Sequence, residues 1–87
     1  MPMKDLIALE ALKVKPSKLY FAENAKSAKT LEELSNDSNP NVRDYVARNP
    51  NCPVEILKKL SQDSDWIVRY YVNKSLNRIR STQSQAF

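Results

Sequence analysis

The chain says the same thing twice, and that constrains its fold more than any other feature. Residues 34–49 laid over residues 60–75, an offset of 26, give eight identities in sixteen positions, where chance gives roughly one. The matches are Leu34/Leu60, Ser35/Ser61, Asp37/Asp63, Ser38/Ser64, Val42/Val68, Arg43/Arg69, Tyr45/Tyr71 and Val46/Val72. A fainter third copy lies upstream, where Lys-Leu-Tyr-Phe-Ala-Glu-Asn at 18–24 falls on Arg-Asp-Tyr-Val-Ala-Arg-Asn at 43–49, an offset of 25. Such a unit is too small to bury its apolar face alone and is stabilised by stacking on its neighbours. The chain contains no glycine, which excludes phosphate-cradling loops and glycine-dependent hairpin turns, and with them a parallel-sheet nucleotide fold. The expectation is an all-α fold without a sheet, with about five to six helices, some of them short or 3₁₀.

Read in order, residues 1–15 place Met3, Leu6, Ile7, Ala11, Leu12 and Val14 at helical spacing and predict an N-terminal capping helix. Pro16 ends it and opens a short second helix to about residue 23, within a degenerate repeat over 16–30. The next helix starts either at Ser27 or at Thr30, the latter through a Thr-Leu-Glu-Glu capping box, and buries Ala28, Leu31 and Leu34. Asn39-Pro40 starts a short helix to about residue 48, with Val42 and Val46 one turn apart facing the core. Pro50 and Pro53 break and restart the chain, with Val54, Ile56, Leu57 and Leu60 as the following apolar residues. Ser64 or Asp65 caps a last helix over 66 to about 79. Residues 1–80 thus form one domain, with two full repeats over 31–75 and a flexible tail over 81–87.

The single cysteine, Cys52, excludes an internal disulfide and a multi-cysteine metal site. With no histidine in the chain, no transition-metal site and no cofactor are expected, and Cys52 has no base to activate it, so it reads as a packed thiol. Residues 1–15 lack the continuous apolar region and cleavage site of a signal peptide. No apolar run approaches the roughly 20 residues needed to cross a bilayer. The expectation is a soluble, cytoplasmic protein with no membrane partner. A net charge of +4 suits either nucleic acid or an acidic protein.

The pattern Leu-x-x-Leu-Ser-x-Asp-Ser-x-x-x-Val-Arg-x-Tyr-Val-Ala-x-Asn-Pro-x-x-Pro-x-x-Ile-Leu-x-x-Leu over 31–60 resembles the variant leucine-rich repeat, a relative of the HEAT repeat. The resemblance covers about residues 20–75 and implies a short right-handed α-solenoid in which longer helices alternate with short, partly 3₁₀ ones. It also implies a binding role and, for the pairs Asp37/Arg43 and Asp63/Arg69, a structural ladder between neighbouring turns. The upstream copy has Ala25 in place of Pro50, and the last copy has Asn73 and Ser75 in place of Ala47 and Asn49, so both ends read as caps.

The last helix departs from the repeat in one direction. Pro40, Asn41 and Asp44 become Trp66, Ile67 and Tyr70, so an outward stripe turns apolar, and Trp66, Tyr70, Lys74 and Arg78 share one face. A terminal repeat normally becomes more polar. Three explanations stand: the tail covers the stripe through Leu76, Ile79 or Phe87; a partner binds there; or two chains pair as a homodimer through this helix. Tyr20, Tyr45 and Tyr71 share a register and read first as packing residues, second as an aromatic stripe. The leading functional expectation is a non-enzymatic binding module, or a small accessory or inhibitor protein, that recognises an acidic protein. Its anchors would be Trp66 and Tyr70, with Lys74 and Arg78 steering approach and Tyr45 and Arg48 extending the site. The alternative is nucleic-acid binding through Lys18, Arg48, Lys74, Arg78 and Arg80. An enzyme of the HEAT-like glycosylase type, using Trp66 with Asp63 or Asp65, is a distant third.

Overall fold

A computed structural model describes residues 17–85. The expected capping helix over 1–15 and Phe87 lie outside the described residues. Five helices, with no strand among the described residues, follow one another: α1 (Lys18–Asn24), α2 (Ala28–Leu34), α3 (Pro40–Arg48), α4 (Val54–Leu60) and α5 (Trp66–Gln85).

Four of the five starts are set by a short polar side chain that satisfies a free backbone amide, while α4 follows Pro53 without a side-chain cap. Ser17 caps α1 by accepting from Tyr20 N, and Ser27 caps α2 by accepting from Thr30 N, which decides between the two starts open for α2. The two repeated loops then use the same bonds 26 residues apart. Asp37 Oδ1 accepts from Asn39 N and Asn39 Oδ1 from Asn41 N, both at 2.9 Å, opening α3 with Pro40 in its first turn. Asp63 Oδ1 accepts from Asp65 N and Asp65 Oδ1 from Ile67 N, also at 2.9 Å, opening α5. The exchange of Asn39 for Asp65 keeps the acceptor and therefore the cap. α5 runs to Gln85, past the end expected near residue 79, because no proline or glycine after Trp66 stops it.

α3 lies at the centre, packing most extensively against α5, then against α1, and also touching α2 and α4. The core is formed by Ala22, Leu31, Val42, Val46, Ala47, Cys52, Ile56, Leu57, Leu60, Val68 and Val72. Val42/Val68 and Val46/Val72 are all buried, so the repeated valines face inward in both copies. Of the stripe expected on α2, Leu31 is buried and Leu34 half-buried, but Ala28 is exposed. Successive steps of three residues drift by about 60° around a helix. Leu31 therefore takes the centre of the stripe and Ala28 falls to its edge.

Two polar contacts join each copy of the short helix to the one before. The first joins base to acid: Lys18 Nζ donates to Asp37 Oδ2 at 2.9 Å, and Arg43 donates through Nε and Nη2 to the two oxygens of Asp63 at 2.7 and 3.0 Å. The second caps a helix-end carbonyl: Asn49 Nδ2 donates to Ala22 O at 3.0 Å, and Ser75 Oγ donates to Ala47 O at 2.5 Å. Within each loop, Arg43 Nη1 also reaches Asp37 O at 2.8 Å and Arg69 Nη1 reaches Asp63 O at 2.6 Å. The ladder thus pairs carboxylate and cation across units, while arginine and aspartate of the same unit meet only through a backbone carbonyl.

The ladder fixes the sign of the acid response. The Lys18 ammonium and the Asn39 amide hold Asp37 below the usual carboxylate range. Burial works to raise Asp63, but the Arg43 hydrogen bonds, the Asp65 amide and the charges of Arg43 and Arg69 together outweigh it and bring the group down. A carboxylate lowered in the folded state contributes stability above its unfolded pKa of about 3.9 and loses it as pH falls through the folded value. Urea unfolding midpoints are therefore expected to hold from pH 7 to about 5 and drop below about pH 4. A D63N variant should start lower and show a shallower acid drop; an equal drop would assign the acid sensitivity to other groups.

Candidate functional site

The exposed face of α5 is built from its first turn outward. With Asp65 holding the helix start, Val68 and Val72 turn into the core and Trp66, Ile67 and Tyr70 turn out, at 67%, 38% and 44% exposure. One turn further on, Lys74 Nζ stands 5.4 Å from the centre of the Tyr70 ring. Leu76 and Ile79 are half-buried against the core rather than folded over this stripe.

Beside it the chain organises a cationic groove. The Arg48 guanidinium, at the end of α3, lies over the Tyr71 ring at 3.8 Å and over the Tyr45 ring at 4.7 Å. Its Nε donates to Asp44 Oδ1 at 2.7 Å. Two aromatic faces and a carboxylate fix this arginine in one orientation. Arg48, Tyr71, Lys74, Ser75 and Arg78 line an open groove of about 330 Å³ between α3 and α5. The expected site residues Arg48, Lys74 and Arg78 therefore come together, with Tyr45 behind Arg48, while Trp66 and Tyr70 continue the face along α5 away from the groove.

Asp44 corrects one reading. As the counterpart of Tyr70 it was expected to point outward, yet it is 6% exposed, on the helix that α5 packs against most closely. Burial pushes its carboxyl up, with Asp65 adding to the rise, while the charge and hydrogen bond of Arg48 pull it back. The face of α3 that carries Asp44 and Arg48 is not outward but is the stacking face for the next copy.

Tyr71 and Asp44 were missing from the expected site. The spacing of four between Asp44 and Arg48 marks a helix ion pair, and Tyr71 shares the register of Tyr45, so both signals were present. The larger omission was the distribution of charge. All ten acidic residues and ten of the fourteen basic ones precede Trp66, so the whole net charge of +4 sits on Arg69, Lys74, Arg78 and Arg80.

Other candidate residues are already engaged. Asp63 is held by Arg43, and Asp65 Oδ1 accepts from Ile67 N and Val68 N. Cys52 is buried, donates to Pro53 O, and has its thiol pushed up to about 11, by burial first and the nearby Glu32 second, so it is protonated at neutral pH. Tyr20 is exposed on α1, edge-on to Phe21, and lines no part of the groove. No helix of the described residues is long and apolar enough to cross a membrane.

Residues 40–65, the stretch from α3 through α4 to the residue before α5, match the family model of the leucine rich repeat variant. No curated protein and no solved structure matches the chain.

Proposed function

We propose that this chain, built around a leucine rich repeat variant unit, is a non-enzymatic binding module for an acidic protein surface, its helices stacked as a short solenoid. The observation that carries the reading is the coincidence of charge and exposure on α5. Four cations and no acid lie between Trp66 and Arg80, beside three exposed apolar residues and against a groove lined by three cations. Trp66 and Tyr70 supply apolar anchor area, and Lys74 and Arg78, with Arg48 behind them, match carboxylates. The engagement of Asp63, Asp65 and Cys52 supports binding over catalysis.

At 67% exposure Trp66 contributes little to the core, so W66A together with Y70A is expected to change unfolding free energy by no more than about 0.5 kcal/mol per site. The same pair should weaken partner binding by more than about 2 kcal/mol if these residues are interface anchors. Calorimetric titration of a purified acidic partner, beside urea unfolding of the variant, checks both; unchanged affinity would remove the stripe from the site.

Nucleic acid is the second reading, favoured by the same cations. Against it, the Tyr45 and Tyr71 rings are occupied by Arg48 and only part-exposed, leaving little for base stacking. Anisotropy of labelled oligonucleotides at about 50 and 200 mM salt separates the two, because phosphate contacts weaken steeply over that range. Tight binding at low salt that collapses at high salt would replace the acidic-protein reading.

A further inference from the structure

The internal junctions show what fits on α5. Shifted by the repeat offset of 26, the covered face of α3 maps onto α5 residue by residue: Arg43 onto Arg69, Asp44 onto Tyr70 and Arg48 onto Lys74. On α3 each of these has an occupant. Arg43 holds the carboxylate of Asp63, which precedes the next helix; Arg48 is covered by the Tyr71 ring eight residues later; and Asp44 is buried. The acid part of the junction occurs twice, since Lys18 on α1 holds Asp37 in the same way. On α5 the corresponding positions have no such neighbour: the part-buried Arg69 reaches the Asp63 carbonyl but bonds no carboxylate among the described residues, Lys74 is exposed, and Tyr70 is 44% exposed.

Resting on the acidic-protein reading above, we propose that α5 docks a helical segment of a separate protein, seated as the next unit of the array. That segment carries an aspartate or glutamate just before its helix and an aromatic residue eight positions later. Its carboxylate takes Arg69 as Asp63 takes Arg43, and its ring covers Lys74 as Tyr71 covers Arg48. Tyr70 and Trp66 stand where α3 carries the buried Asp44 and the half-buried Pro40, and Ile67 stands where α3 carries the exposed Asn41 at the edge, so this junction is more apolar than the internal one.

The carbonyl latch is not repeated. Ala22 and Ala47 lie in the last turns of α1 and α3, where carbonyls lack helical partners, but α5 continues through Asn73 to Gln85. Beyond Asn73 the partner meets Arg78 and Arg80 instead, which favours further acid along its helix. A second copy stacked head to tail offers no equivalent aspartate in register, because the residue one offset of 25 before Asp37 is Leu12, and Asp37 and Asp63 are already paired within their own chain.

The test uses Trp66, the one tryptophan in the chain, as the reporter. The probe is a hydrocarbon-stapled, N-acetylated peptide of residues 36–49 carrying R43E and R48E, so that all its charges are carboxylates while Asp37 and Tyr45 keep the spacing of eight. Its helicity is verified by circular dichroism before use. Titrated into the full chain, it should shift Trp66 emission to the blue with saturation, and affinity should fall at least about tenfold with R69Q in the chain or D37N in the peptide. The peptide variant tests the same contact without touching the fold, should R69Q melt. No saturable shift from the helical probe overturns the proposal. Binding that survives both D37N and R69Q overturns the docking register while leaving the acidic-protein reading intact. A blue shift with rising chain concentration alone would assign the face to a second copy, and preference for a single-stranded oligonucleotide would overturn both readings.

Discussion

Replacing Arg43 by alanine is expected to destabilise the chain by about 2–4 kcal/mol, whereas the same change at Arg69 costs about 1 kcal/mol. The two arginines hold equivalent places in the repeat and make the same bond to a loop carbonyl, so composition does not separate them. What separates them is Asp63. Arg43 donates to both its oxygens, and the two side chains retain only 16% and 8% of their exposure. Removing one partner of a fully buried pair costs about 3–5 kcal/mol because the other charge stays behind in a poor solvent. The remaining water contact here lowers that figure somewhat. The lost bond to Asp37 O adds to it, since this bond holds the loop that opens α3. For a domain of this size, a loss of about 2–4 kcal/mol lowers the melting temperature by roughly 10–25 °C. Urea unfolding of R43A, R69A and D63A, with the R43A/D63A double variant, measures the coupling directly. Equal losses at Arg43 and Arg69 would mean that the loop carbonyl, and not the pairing between units, carries the effect.

This difference between two equivalent arginines marks where the sequence stops being informative. Repetition made the helices, the caps at Asn39 and Asp65 and the inward valines readable, because each depends on residues a few positions apart. The involvement of Asp37, Arg43 and Asp63 was readable too. The direction of their pairing was not: whether Arg43 turns to Asp37 or across to Asp63 depends on how neighbouring copies stack. Asp44 shows the same limit more sharply. Its chemistry and register suggested solvent, but the packing of α5 on α3 leaves it buried and makes its bond to Arg48 necessary. Trp66 and Tyr70 were readable as anomalies against the repeat. That they stand where α3 is covered by its neighbour became visible only with Asp44, Arg48 and Tyr71 in place.

Asn49 is the position where a side chain of modest size should matter most after Arg43. It is 1% exposed and uses both donors and one acceptor site of its amide: Nδ2 donates to Ala22 O at 3.0 Å and Ala25 O at 2.9 Å, and Oδ1 accepts from Asn51 N at 2.8 Å. The two carbonyls end α1, where the helix cannot satisfy them, and the Asn51 amide belongs to the turn before α4. N49A leaves these groups without their partner in a site with little room for water, at a cost of about 2–4 kcal/mol. N49S should cost less, because Ser75 in the next copy shows that a hydroxyl can serve the equivalent carbonyl of Ala47. N49D should cost the most: the shape is kept, but an acceptor replaces the donor facing two carbonyl oxygens, and a charge is buried without a cation. The predicted order of unfolding free energies at pH 7 is therefore Asn, Ser, Ala, Asp, read by urea denaturation. Raising acidity should recover part of the N49D loss, because a protonated carboxyl can donate one of the two bonds. If N49D proves no worse than N49S, the amide is not acting as a donor, and the junction between the first two copies rests on the Lys18–Asp37 pair and the apolar contacts of Ala22, Val46 and Ala47.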